Sequence, residues 1–300
     1  MTNPDIVLAG AAGDLGTRIA RALVRRGDTV RALVRPDLAP GDRAHLTGLG
    51  VTLTPADPAD VSSLAAVMQG ATCVVSALNG LHEVIVDRQR VLLEAAVRAG
   101  VPRFIPSDYS EDFTATTPGD NRNLDLRREF MTLADQTPLQ VTSILNGAFM
   151  DMLGAEMPII QPRIHRVLYW ISADQPLDFT TKDDVAAYVA AAALDDTTPR
   201  FLRIAGDTLS ARELARVLSD VTGEPYRTLH VGNLGLLGLM IKVAQRVAPQ
   251  PGEPFPAWQG MQYMRDMFSG RGKLQPLDTD RYPEVRWTSV HEQLSNHRPG

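Results

Sequence analysis

The first half of the chain alternates two hydrophobic periods. Asp5–Ala9 is a short, unbroken apolar run, suited to a strand buried on both faces. Leu15, Ile19, Ala22 and Leu23 then recur at helical spacing, and Arg25-Arg26-Gly27 supplies a basic last turn and a terminating glycine. Thr29–Val34 and Val51–Thr54 are the next predicted strands. Asp60 is an N-cap candidate for a helix through Met68, closed by Gly70. Thr72–Ala77 predicts a fourth strand from its β-branched and apolar residues. Glu83–Ala99 is predicted helical, with Val84, Val91, Leu92 and Ala95 on one face and Gly100 at its end. Arg103–Pro106 and Val141–Leu145 are the expected fifth and sixth strands. Parallel neighbours need crossover connections, so this alternation implies an α/β fold, a doubly wound parallel sheet covered by helices on both faces.

The second half is less regular. Met157–Pro162 is broken by prolines and reads as loop or edge, while Val167–Ile171 and Phe201–Ile204 are short strand candidates. Asp183–Leu194 is an alanine-rich helix with Thr181 and Asp184 in capping-box spacing. Ser210 and Glu213 form a second such box, opening a helix to about Val221. Leu234–Val247 and Trp258–Phe268 predict two more helices, separated by four prolines. The expected division is residues 1–150 as a nucleotide-binding domain to which 178–206 return. Residues 151–300 then form a smaller, discontinuous and mostly helical substrate-binding region.

Composition narrows the function. With 300 residues, 44% hydrophobic and 22% charged, the chain can bury a core without staples. Its net charge of −5 offers no basic excess to neutralise phosphates, which argues against nucleic-acid and membrane-surface partners. Cys73 is the only cysteine, so neither an internal disulfide nor a cysteine-based zinc framework is available. The six histidines (His45, His82, His165, His230, His291 and His297) lack His-x-x-x-His spacing, so no metal centre is expected. No G-x-S-x-G elbow is present, against a serine hydrolase. With no leader-like opening and no long apolar span, a cytoplasmic location is expected.

The chemistry begins at Gly10-Ala11-Ala12-Gly13-Asp14-Leu15-Gly16, directly between the first strand and first helix. A glycine turn there lets backbone N–H groups approach a pyrophosphate, and the helix N-terminus adds partial positive charge. Gly10, Ala12, Gly13, Asp14, Leu15 and Gly16 are thus candidate cofactor contacts in a Rossmann-like fold. The bland alternative is a tight turn without ligand. The second strand ends Leu33-Val34-Arg35, with no acid until Asp37. A guanidinium at that position suits the 2′-phosphate of NADP(H) better than the free ribose hydroxyl of NAD(H), unless Arg35 is merely solvated.

On these residues the sequence resembles the NmrA-like and isoflavone-reductase-like branch of the atypical short-chain dehydrogenase/reductases. Ala56-Asp57-Pro58-Ala59-Asp60, Arg103 to Tyr109, Asp125 to Phe130 and Asp183 to Tyr188 extend the likeness over about residues 5–205. The resemblance implies that Asp57 accepts from the adenine amino group, and that Ser76 and Ala77 border the cofactor's ribose and phosphates. It likewise places Asn146, Ala148 and Phe149 at the nicotinamide and substrate mouth. Asp57 as a helix-entry cap and Asn146-Gly147 as a turn are the competing readings.

One departure stands out. The branch keeps a lysine four residues before its paired arginines, and counting back from Arg127 lands on Asn123. Asparagine can hydrogen-bond a ribose but has no proton to exchange near neutral pH. A substitute acid is Tyr109, with Ser107 orienting it, whereas Asp108, Glu111 and Asp112 read as a solvated acidic loop. Two functions follow. One is an NADPH-dependent reductase of a small apolar or aromatic carbonyl or alkene; the other is a non-catalytic NADP(H) sensor reporting to a protein partner.

Overall fold

The computed structural model describes residues 5–153, 157 and 159–296. Pro158, in the expected Met157–Pro162 segment, and His297 lie outside the described residues. The chain divides into two compact units. The first comprises residues 1–108, 126–144 and 185–202, the second 109–125, 145–184 and 203–300. Residues 109–125 and 145–150 therefore cluster with the second unit, and 185–202 return to the first.

The first unit is the doubly wound sheet. Its elements are β1 (Asp5–Ala9), α1 (Asp14–Arg25), β2 (Thr29–Val34), α2 (Pro40–Gly48), β3 (Thr52–Pro55), α3 (Val61–Met68) and β4 (Cys73–Ser76). They continue with α4 (Gln89–Ala99), β5 (Arg103–Ile105), α5 (Arg122–Ala134, mostly in this unit) and β6 (Gln140–Val141). The six strands lie in the order β3-β2-β1-β4-β5-β6, every pair parallel. Strand order reverses between β1 and β4, and ligands of such sheets bind outside the carboxyl ends at that switch. Val7, Val74, Leu92, Phe104 and Phe130 are among the residues of its core. Asp60 caps α3 as expected, its carboxylate accepting from the Ser62 N–H at 2.8 Å.

Two elements depart from the periodicity. Glu83–Arg88 is a turn of π-helix ahead of α4. The wider turn rotates the buried face onto Ile85, Val86, Gln89, Leu92 and Leu93, leaving Val84 and Val91 half-buried. The expected strand Val141–Leu145 is also two strands, β6 and β7 (Ser143–Leu145). The break is at Thr142, whose hydroxyl bonds Thr198 (2.8 Å) and the Pro199 carbonyl (3.0 Å), while the next N–H, of Ser143, donates to Arg200. From there β7 pairs with β12 (Phe201–Arg203) instead of the main sheet. Helices α2 and α5 carry no expectation from the pattern. Leu46 alone is buried in α2, and in α5 the spacing Leu124, Arg127, Phe130 and Ala134 is helical but interrupted by an arginine.

The second unit builds two three-stranded sheets from β8 (Ala148–Phe149), β9 (Ile160–Gln161), β10 (Arg166–Tyr169), β11 (Leu177–Thr180), β13 (Asp207–Leu209) and β14 (Arg227–His230). Their orders are β14-β10-β9 and β13-β11-β8. The alanine-rich helix α6 (Lys182–Ala192) begins here and continues into the first unit. Helices α7 (Ala211–Thr222), α8 (Leu234–Val247), α9 (Ala257–Ser269) and α10 (Val290–Asn296) complete it. The Ser210–Glu213 capping box is formed in both directions. Met264 and Met267 pack with Trp170, Phe179 and Leu237 in this unit's core.

Candidate functional site

The glycine loop at the carboxyl end of β1 owes its shape to close backbone approaches. Gly10 has φ +81°, and a Cβ there would lie 2.6 Å from the Ala77 carbonyl oxygen at the end of β4. A Cβ on Gly16 would lie 2.0 Å from the carbonyl oxygen of Gly10. Neither position tolerates a side chain, so the loop collapses onto itself and onto the switch point. The Gly13 N–H donates to the Gly10 carbonyl (3.0 Å), and the Thr17 hydroxyl ties the loop through the Ala11 carbonyl (2.9 Å). Gly13, the N-cap of α1, has no side chain to cap the helix, so the first-turn N–H groups lack a side-chain acceptor there. That arrangement fits a phosphate-bearing group.

Beside the loop lies a cleft of about 270 Å³ lined by Ala12, Gly13, Asp14, Thr17, Arg18, Arg21 and His45. Arg18 is held by Asp14 at 2.8 Å. Leu15 is half-buried, Ser76 is fully buried, and Ala77 donates its N–H to Ala9. Arg35 is exposed and lies 3.7 Å from Asp37, outside that cleft's lining. Asp57 is exposed and its carboxylate accepts from the Ala59 N–H at 2.9 Å in a local turn, while the cap of α3 is Asp60 and not Asp57.

The loop after β5 overturns one expectation. Asp108, Glu111 and Asp112 are buried, not solvated. Asp108, in the first unit, accepts from the Ser143 hydroxyl at 2.6 Å. Burial raises its pKa, opposed by that bond and by Arg127 and Arg200. Ser107 is committed locally: its hydroxyl donates to the Leu78 carbonyl (2.6 Å) and its N–H to Gln89 Oε1 (2.8 Å). Gln89 is thus a positioning residue that hydrophobic patterning passed over, because it is a polar side chain on the buried face shared by Ile85, Leu92 and Ala96.

In the second unit, Tyr109 is buried and Asp112 pairs with Arg203 at 2.6 Å. Asn123 is also buried, and both ends of its amide are occupied. Its Nδ2 donates to the Pro254 carbonyl (2.9 Å), and its Oδ1 accepts from Arg122, whose guanidinium lies 4.6 Å from the Trp258 ring centre. Asn146 and Gly147 both donate backbone N–H to Ser110, and the Thr180 hydroxyl donates to the Asn146 carbonyl at 2.7 Å. Asn146 Oδ1 is buried without a hydrogen-bond partner. Gly147 has φ +66°, and a Cβ there would lie 2.4 Å from the Asp178 carbonyl. This approach sets the Asn146 turn against β11. Ala148 and Phe149 follow half-buried in β8, with Lys182 Nζ 5.9 Å from the Phe149 ring centre.

Asp178 and Lys273, an ion pair joining residues far apart in sequence, carried no sequence signal. They line a small cavity with Glu111, Gly147 and Gly272.

A family profile described as the NmrA-like family matches residues 2–282. An NmrA-like family domain-containing oxidoreductase of Gibberella moniliformis is 29% identical over 73% of this chain and 78% of its own. Pinoresinol reductase 1 of Arabidopsis thaliana is 24% identical over 75% of this chain and 77% of its own. Among solved structures, AtPrR2 with NADP+ and (+)pinoresinol superposes with a TM-score of 0.81 at 20% identity, over 99% of both chains. An isoflavone reductase superposes at 0.82 and 19% identity, over 98% of this chain and 99% of its own.

Proposed function

Because the chain belongs to the NmrA-like family, we propose that it is an NADPH-dependent reductase of a small apolar or aromatic carbonyl or alkene. The observation that carries this is the glycine loop, whose Gly10 and Gly16 admit no Cβ and whose helix offers uncapped N–H groups at the sheet's switch point. The oxidoreductases among its relatives support the same reading.

In it, the backbone of Gly10 to Gly16 holds the pyrophosphate, Arg35 meets the 2′-phosphate, and Asp57, Ser76 and Ala77 flank the adenosine. The family resemblance assigns Asn146, whose Oδ1 has no hydrogen-bond partner, and Phe149 to the nicotinamide end of the cofactor. The cofactor supplies hydride when bound. Tyr109 supplies the accompanying proton. Asn123, bonded at both ends, takes no part in proton transfer. That engagement is also what favours a second reading, a sensor that binds NADP(H) without turnover.

NADPH at about 100 times its dissociation constant should stabilise the protein by roughly 2.7 kcal/mol. NADH should do less, and Arg35→Ala should abolish the difference. Purified protein should oxidise NADPH with some acceptor from a carbonyl and activated-alkene panel, and Tyr109→Phe should slow it about 10²-fold or more. Equal thermal shifts for both nucleotides would remove the role of Arg35. Binding without turnover across the panel would select the sensor.

A further inference from the structure

Helix α8 is apolar on two sides. Leu237 and Ile241 are buried in the core of the second unit, with Leu234 packed against it. Opposite them, Leu236, Leu239, Met240, Val243 and Val247 are 46%, 58%, 41%, 51% and 80% exposed. Their spacing is helical, so they form one stripe along the solvent side. Helix α7 of the same unit behaves ordinarily and turns Arg212, Glu213, Arg216 and Asp220 outward. Phe255, also exposed, follows α8 in its connection to α9.

Charge on this stretch is one-sided. No acidic residue stands between Glu224 and Glu253, whereas Arg227, Lys242 and Arg246 do, in a chain whose net charge is −5. Lys242 and Arg246 are exposed, each three positions after a stripe residue, Leu239 and Val243. That offset places both cations along one border of the stripe.

We propose that α8 docks on an anionic lipid surface, its apolar stripe among the upper acyl chains and Lys242 and Arg246 on the lipid phosphates. A contiguous exposed apolar row marks an interaction surface, where single scattered residues would not. The 14 residues of α8 reach about 21 Å, and no helix among the described residues is long and apolar enough to cross a bilayer. The helix therefore lies in the interface plane, where long cationic side chains reach up to the headgroups. A second copy fits the face less well, because pairing α8 with itself gathers cations with no acid from the stretch to oppose them. A protein partner would need a groove matched to this convex row, whereas lipid conforms to it. Docking there needs neither nucleotide nor turnover.

The test is co-sedimentation of the full chain with vesicles of phosphatidylcholine alone, or of phosphatidylcholine and phosphatidylglycerol in equal parts. The mixed vesicles should bind about tenfold more tightly than the neutral ones, and added salt should erase that advantage. Leu239→Glu combined with Val243→Glu should abolish binding to both, at an unchanged unfolding midpoint, since both side chains face solvent. Lys242→Gln and Arg246→Gln should each weaken binding to the mixed vesicles about fivefold and leave the neutral ones alone. No binding by the wild type, or equal binding to both compositions, overturns the proposal. A wild-type dimer in free solution that the double glutamate variant dissociates also overturns it and gives the face to a second copy. Retention on polyglutamate without vesicle binding overturns it in favour of an acidic protein.

Discussion

The two units satisfy their backbones by different means. In the first, six parallel strands exchange N–H and C=O groups in register, and among the described residues its ion pairs, such as Arg18–Asp14 and Arg35–Asp37, lie largely outside the core. In the second, strands are two to four residues long, and carboxylates take over the work of the ladder. Asp178 accepts from the Leu274 N–H, Asp184 from Thr288, Asp207 from Val290, Asp278 from Arg203 and Asp151 from Lys182, all at 2.8–2.9 Å. A buried N–H without a partner costs about as much as a lost hydrogen bond, so a loop-rich unit needs acceptors that reach. Burial first, and then the nearby charges of Asp266 and Asp178, raise the pKa of Glu111, whose Oε2 is left without a donor. The glycine loop of the first unit is therefore shaped by backbone approaches, whereas the buried carboxylates of the second are set by desolvation and by one another.

Asp178→Ala breaks this contrast most severely. It strands the Lys273 ammonium, the Leu274 N–H and the Thr208 hydroxyl together, and should cost about 3–5 kcal/mol by denaturant midpoint. Arg18→Ala, at a partly exposed ion pair of the first unit, should move the same midpoint by less than about 0.5 kcal/mol. Equal effects would abolish the distinction between the units.

Gly16→Ala should cost about 1–3 kcal/mol, because its methyl meets the rigid Gly10 carbonyl at 2.0 Å. The same change should erase the NADPH thermal shift. Gly13→Ala, whose methyl would stand 3.3 Å from that oxygen, should keep most of it. Matching losses at the two glycines would separate nucleotide binding from loop shape.

The smallest effect belongs to His82. Its imidazole lies 3.0 Å from Glu129 and 3.2 Å from Asp87, and bonding to Glu129 first, then Asp87, raises its pKa. A raised folded value means the charged ring stabilises the native state fully below the unfolded pKa of about 6.5, and that gain is lost as pH rises through the folded value. His82→Gln should therefore unfold slightly earlier than wild type near pH 5.5 and together with it near pH 9. A pH-independent difference would show that packing, not charge, sets the contribution.

Much of the first unit was legible from residues alone. Asp5–Ala9 and Thr29–Val34 are strands with the expected bounds, and the glycine bend sits where strand gives way to helix. Such features depend on local period, on β-branching and on φ values that few residues adopt, all of which are written within a few positions of chain. The helix Leu234–Val247 was legible for the same reason. The candidate site divides along the same line. The need for Gly10 and Gly16 is local, whereas the occupied amide of Asn123 depends on Pro254 and the closure over Glu111 on Gly272.

The sequence by itself thus determined the parallel sheet, the crossover helices α1, α3 and α4, and the phosphate-fitting bend. Only the tertiary structure decided that Gln89 turns inward to hold Ser107, that the chain changes sheets at Thr142, and that an apparently solvated acidic loop is buried. The physical reason is range. Periodicity records which face of an element is apolar, but the protonation of a carboxyl is set by how much water the rest of the fold removes and by which distant charges it brings near.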